Sequence, residues 1–251
     1  MNRVYLVVTA EGNMSSKVQE VMDAASKAGQ IAASYKPSVN GAAAAAEIKA
    51  GKTAALMEKI CADFLGADFA SADTVVVEGA MGMSAVVAQK FNESLATALD
   101  AKIFADGEDA DLFCSCRLLK CEKCLAADLA APAAERKTSQ AMFRAGLLVK
   151  ASKAVKRIVL PEGSEPRTVQ AACLAVERNI AVPVLVGKKA DIEATAKSVG
   201  VKLPTNIEII EPSAELAEKY VPTLVELRKA KGMTEEAARA ALADNVMLAT
   251  M

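Results

Sequence analysis

Short apolar runs that end on turns, with stretches of helical period between them, constrain this chain more than any other feature. Val4-Tyr5-Leu6-Val7-Val8, Thr74-Val75-Val76-Val77 and Ala101-Lys102-Ile103-Phe104-Ala105 each read as a strand. So do Lys156-Arg157-Ile158-Val159-Leu160, Val182-Pro183-Val184-Leu185-Val186, Ile207-Glu208-Ile209-Ile210 and residues 31–35, the last closed by Lys36-Pro37. Residues 15–28 place Val18, Val21, Met22 and Ala25 on one helical face. Further helices are expected over residues 42–46, 53–65, 84–99, 140–154, 165–179, 189–199, 214–231 and 235–248. Strands this short, each followed by a helix, belong to parallel sheets covered by helices. The expected fold class is α/β, built as two open, mostly parallel three-layer units.

Composition supports this. The chain has 251 residues, 53% hydrophobic and only 4% aromatic, without Trp, which suits Ala-rich helices on a sheet better than a β-sandwich. The strand–helix alternation lapses over residues 113–137, which hold four cysteines and the run Ala130-Ala131-Pro132-Ala133-Ala134. The expected division is therefore a first α/β domain over 1–112, a Cys-rich and Ala/Pro-rich linker over 113–137, and a second α/β domain over 138–251.

A net charge of −1 argues against a nucleic-acid partner. The opening apolar run is too short to span a bilayer and lacks a signal-peptide cleavage pattern, so no membrane partner and a cytoplasmic location are expected. The six cysteines should then be reduced thiols or metal ligands. The absence of histidine removes the commonest general base, so chemistry would fall to carboxylates, Lys, Arg, Ser, Thr or Cys.

Cys114, Cys116, Cys121 and Cys124 form C-x-C-x₄-C-x₂-C, a set of thiolates able to hold zinc or an iron–sulfur cluster. The spacing is tighter than that of paired zinc knuckles, and a run of reduced thiols is the other reading. Cys61 and Cys173, on apolar helical faces, read as small buried hydrophobes. Thr9-Ala10-Glu11-Gly12-Asn13-Met14-Ser15-Ser16-Lys17 sits where a P-loop would sit, but only Gly12 and a displaced Lys17 remain of that pattern. A structural or regulatory role is expected there instead of nucleotide hydrolysis. Gly79-x-x-Gly82 is too short for a dinucleotide fingerprint.

In the second half, Lys156 to Val169 reads KRIVLPEGSEPRTV, followed by Val184-Leu185-Val186-Gly187 and then by Glu226-Leu227-Arg228-Lys229-Ala230-Lys231-Gly232-Met233-Thr234. These motifs, in this order, resemble the opening of the catalytic domain of the phosphate acetyltransferase family over residues 138–251. Residues 1–112 more loosely resemble the dethiobiotin-synthetase-like P-loop domain of that family's long form. The resemblance implies acetyl transfer between acetyl phosphate and coenzyme A, by direct attack of the CoA thiolate on the acetyl carbonyl. It requires no cofactor. Arg228 and Arg167 match family arginines implicated in binding CoA or phosphate, a role suited to the planar guanidinium.

Two structural alternatives stand beside that assignment: a solvated helix face for Arg228, and pairing with Glu162 or Glu165 for Arg167. The family's catalytic serine, aspartate and arginine would lie beyond Met251, so this chain is expected to be incomplete or inactive as an enzyme. A phosphate butyryltransferase relative is the neighbouring reading. The rivals are a non-catalytic CoA- or anion-binding regulatory module and a metal-stabilised interaction protein organised by the cysteines. A homo-oligomer is expected from an open sheet edge.

Overall fold

The computed structural model describes residues 3–9, 13–39, 41–80, 83–105, 110–111, 113 and 117–251. The chain divides into two compact units, Met1–Val149 and Lys150–Met251.

In the first unit, β1 (Arg3–Val7), β2 (Ala32–Tyr35), β3 (Thr74–Glu78), β4 (Lys102–Phe104) and β5 (Leu118–Leu119) form one sheet in the order β2-β3-β1-β4-β5. Every pair in it is parallel. Strand side chains alternate between faces, and both faces are apolar here. Val4, Leu6, Val75, Val77 and Ile103 point to one core with α2 (Gly41–Lys49), α3 (Thr53–Gly66) and α4 (Ala85–Leu99). Tyr5, Val7, Val76 and Phe104 point to the other, with α1 (Met14–Lys27) and α5 (Glu122–Ala130). Burying each such side chain is worth about 1.5–3 kcal/mol, and this alternation makes the unit three-layered.

Helix α1 starts where the Asn13 side chain accepts from the Ser15 amide at 3.1 Å, and it buries Met14, Val18, Val21 and Ala25. Residues 117–130 are not a linker. Leu118 and Leu119 extend the sheet beside Ile103 and Phe104, and α5 buries Leu125 and Leu129, one turn apart, in the α1 core. The irregular strap over residues 131–139 follows. Arg136 donates to the Leu99 carbonyl, the Lys137 amide to Asp100 at 2.6 Å, and the Ser139 hydroxyl to the Ala98 carbonyl. Helix α6 (Gln140–Lys153) then sinks Ala145 into the first core. The boundary between the units therefore falls within α6, later than the one expected from sequence.

In the second unit, β6 (Lys156–Leu160), β7 (Ala181–Val186) and β8 (Glu208–Ile210) form a parallel sheet in that order. Helices α7 (Pro166–Glu177) and α8 (Lys189–Ser198) pack Val169, Ala172, Ile192 and Ala196 on Leu185, with Leu160, Ile207 and Ile209 around them. On the opposite face Val159 and Val182 stay 39% and 40% exposed. Helices α9 (Ala214–Leu227), α10 (Glu235–Leu242) and α11 (Asn245–Thr250) close a separate small core on Val221, Leu224, Ala238, Leu242 and Leu248. The helix expected over residues 235–248 is split. The Asp244 carboxylate accepts from the Val246 and Met247 amides at 2.8 and 3.0 Å, capping a new helix.

Candidate functional site

Open parallel sheets bind ligands at the carboxyl ends of their strands. In the first unit, β1 and β3 are neighbours whose following connections run to opposite sides of the sheet, so their carboxyl ends mark the switch point. A cleft of about 240 Å³ lies there, lined by Met14, Lys36, Pro37, Val39, Gly41, Glu78, Gly79, Ala80 and Phe91. The Lys36 ammonium pairs with Glu78 at 2.9 Å. Gly79 donates to the Val7 carbonyl at 2.8 Å. A Cβ on Gly79 would stand 2.7 Å from that same oxygen, so only glycine lets the chain pass this close.

Asn92, fully buried on α4, accepts from the Ala80 amide at 2.9 Å and so fixes the turn after β3, while its Nδ2 has no partner among the described residues. Sequence reading missed Asn92; a polar residue inside the apolar face of residues 84–99 was the available signal. Of the P-loop-like segment, Ala10, Glu11 and Gly12 lie outside the described residues, as does Gly82. Lys17 pairs with Glu20 at 2.8 Å and stands 5.7 Å from the centre of the Phe104 ring, on α1.

The second unit, whose strands follow in sequential order, also has a cleft at its strand ends. A cleft of about 540 Å³ is lined by Pro161, Glu162, Gly163, Ser164, Glu165, Val186, Ala243, Asp244, Asn245 and Val246. Gly163 donates to the Val186 carbonyl at 3.1 Å, and a Cβ there would come within 2.6 Å of that oxygen. Three carboxylates, Glu162, Glu165 and Asp244, line this cleft, and its lining holds no cation.

Arg167 and Arg228 are not among the lining residues. Arg167 stands on the first turn of α7 and its Nε pairs with Glu165 at 2.8 Å. Glu165 also caps α7 by accepting from the Thr168 amide at 2.8 Å. The hydrogen bond to Arg167 holds the Glu165 carboxyl below its usual range, and the same bond raises the guanidinium. The helix start is thus already occupied by the protein's own carboxylate. Arg228 ends α9 in an exposed position and makes no ion pair among the described residues.

Of the four clustered cysteines, Cys114 and Cys116 lie outside the described residues. Cys121 and Cys124 are brought together, with their sulfurs 3.2 Å apart. Hydrogen bonds from the Cys124 side chain and amide lower the Cys121 thiol, whereas Cys124 is raised by its bond to Cys121. Cys61 is buried, and its thiol is pushed up to about 11 by that burial, with Glu58 adding to it. Cys173 is half-buried, not fully enclosed as expected, and its thiol is also raised by burial.

An α/β layered protein with a cleft at the strand ends of each sheet is the class that fold and geometry define. Residues 142–251 match the family model described as phosphate acetyl/butaryl transferase. The phosphate acetyltransferase of Escherichia coli (strain K12) is 54% identical over 116 residues, which cover 46% of this chain and 16% of that protein. That of Haemophilus influenzae is 56% identical over 109 residues, covering 43% of this chain and 15% of its own length. Among solved structures, the EutD phosphotransacetylase from Staphylococcus aureus aligns with 33% identity and a TM-score of 0.35, over 40% of this chain and 32% of that one. Over residues 142–251, then, this chain is similar to a segment of phosphate acetyltransferases. It spans about a sixth of the length of the curated relatives it matches.

Proposed function

We propose that this chain supplies part of a phosphate acetyltransferase, which moves an acetyl group between acetyl phosphate and coenzyme A. The observation that carries this reading is the 54% identity over 116 residues with an enzyme named for that reaction. In such a transfer the CoA thiolate attacks the acetyl carbonyl and phosphate departs, so the protein's work is positioning and charge stabilisation. Arg228, exposed and without a carboxylate partner among the described residues, takes a CoA or phosphate oxygen. Arg167, on the first turn of α7, takes an anion of its own once it leaves Glu165, a rotation its exposed side chain permits.

A second reading is a CoA-binding module without turnover, in which the exposed Arg228, outside the cleft, takes a CoA phosphate, while Glu162, Glu165 and Asp244 keep the cleft itself unfavourable to a transferring phosphate. Acetyl-CoA formation from acetyl phosphate and CoA, measured alongside calorimetric CoA binding, separates the two. Turnover that falls on Arg228→Ala supports the transferase. Binding weakened by the same substitution without turnover supports the module, and the absence of both overturns the two readings together.

A further inference from the structure

We propose that Cys121 and Cys124 form a redox-active dithiol that exchanges with low-molecular-weight disulfides. Cys121-Glu122-Lys123-Cys124 occupies the passage from β5 into α5, with Cys121 as the N-cap residue. The cap holds both sulfurs on one side of the first helical turn, 3.2 Å apart, and the Cys124 amide points at the Cys121 sulfur from 3.4 Å. An amide aimed at the sulfur favours the thiolate, the form that attacks a disulfide. Cys124 is exposed and Cys121 partly so, which gives an incoming disulfide access to the pair.

The support beneath the pair is built. Leu125 and Leu129 anchor α5 in the α1 core, and Asp128 receives the Tyr5 hydroxyl at 2.7 Å and the Lys102 ammonium. A strand, a C-x-x-C turn and a helix anchored by Leu125 and Leu129 keep the two thiols in register, while the thiols themselves stay outside that packing. Cys61 and Cys173 have no second sulfur beside them among the described residues: Cys61 stands 3.9 Å from the Ala98 carbonyl and Cys173 3.9 Å from that of Lys202.

The reaction balances in two exchanges. The Cys121 thiolate attacks one sulfur of an oxidised disulfide such as glutathione disulfide, forming a mixed disulfide and releasing one thiolate. Cys124 then loses its proton to solvent and attacks the Cys121 sulfur. This forms the Cys121–Cys124 bond and releases the second thiolate. Two electrons pass from the protein to the disulfide, and a reducing dithiol returns the pair to its starting state.

The test treats the reduced, metal-free full chain with glutathione disulfide, traps free thiols by alkylation and digests with trypsin. Cleavage after Lys123 separates the two cysteines, so the new bond appears as a cross-linked peptide pair that dithiothreitol releases. Cys121→Ser should abolish the pair, while Cys124→Ser should leave glutathione trapped on Cys121. Serine at position 121 offers a hydroxyl oxygen to the Cys124 amide in place of the capping sulfur, and Cys124→Ser leaves the Cys121 cap untouched, so both variants retain the start of α5. Cross-linking of Cys121 or Cys124 to Cys114 or Cys116 would overturn the proposal. So would free alkylation of both thiols after treatment, or stoichiometric zinc binding that blocks oxidation.

Discussion

Gly79 and Gly163 occupy matching places in the two units: each follows a strand, and each donates its amide to a neighbouring strand's last carbonyls, Val7 and Val186. The added methyl of Gly79→Ala or Gly163→Ala meets backbone oxygen at 2.7 or 2.6 Å, which no side-chain rotation relieves. Each substitution is expected to cost about 1–3 kcal/mol in denaturant unfolding and to reshape the cleft beside it. An unchanged midpoint would show that the strand ends yield more easily than their packing implies. Asp100 gives a second test at this scale. Burial opposes its charge, but the Lys137 amide and the Arg117 guanidinium outweigh that and lower its carboxyl below the ordinary value. A depressed carboxylate contributes stability that is complete above its unfolded value of about 3.9 and is lost as pH falls through the lower folded one. Asn suits the left-handed backbone here, at φ 50°, so Asp100→Asn removes the charge with little strain. It should therefore lower the melting temperature at neutral pH, with the gap to the parent closing in strong acid. Sequence alone offered both Glu162 and Glu165 as partners for Arg167; which one is taken depends on Glu165 turning back to cap α7, a local geometry that residue order does not encode.

At the scale of elements, α9 carries Pro222 inside its run, on the exposed side between the buried Val221 and Leu224. A proline there removes one intrahelical hydrogen bond while the flanking apolar residues keep the helix seated. Pro222→Ala is expected to raise the stability of the second unit by about 1 kcal/mol or more, read as a higher unfolding midpoint and slightly more helical circular dichroism. A loss of stability would mean that a proline-induced bend sets how α9 meets α10. Pro183 is better tolerated, since β8 begins to pair with β7 only at Val184. Most elements were legible because their signal is local: apolar runs bounded by turns, and the four-residue spacing of Val18, Val21, Met22 and Ala25. Leu118-Leu119 was not, because two residues make no period, and its strand exists only through pairing with Ile103 and Phe104. Helix α5 was hidden in turn by its cysteines and alanines, with Leu125 and Leu129 as its only apolar marks. The break before α11 was carried by one capping aspartate in a run otherwise suited to continuous helix.

For the whole molecule, the sheet of the second unit leaves Val159 and Val182 about two-fifths exposed on the face opposite α7 and α8, beside the edge strand β6. An edge strand next to an exposed apolar patch of this kind favours association with another copy. Light scattering is expected to show mass rising with protein concentration, and Val159→Lys should suppress the rise; a constant monomer mass in the parent would exclude it. The extent of each unit was less legible than its class. The polar and Ala-rich strap disguises how far the first unit reaches, because what joins the strap to α4 is a set of backbone and charge contacts between residues remote in sequence.

That strap has a practical consequence. Arg136 and Lys137 form a dibasic site for trypsin on an irregular, largely exposed stretch, where cutting should be quick. A protease needs the chain drawn out into its groove, however, and here Leu99, Asp100 and Ala98 grip three successive points of it. Scission at Arg136 therefore has to wait for the grip to open. The rate at which trypsin nicks this one bond becomes a clock for that opening, and Asp100→Asn should make the clock run fast.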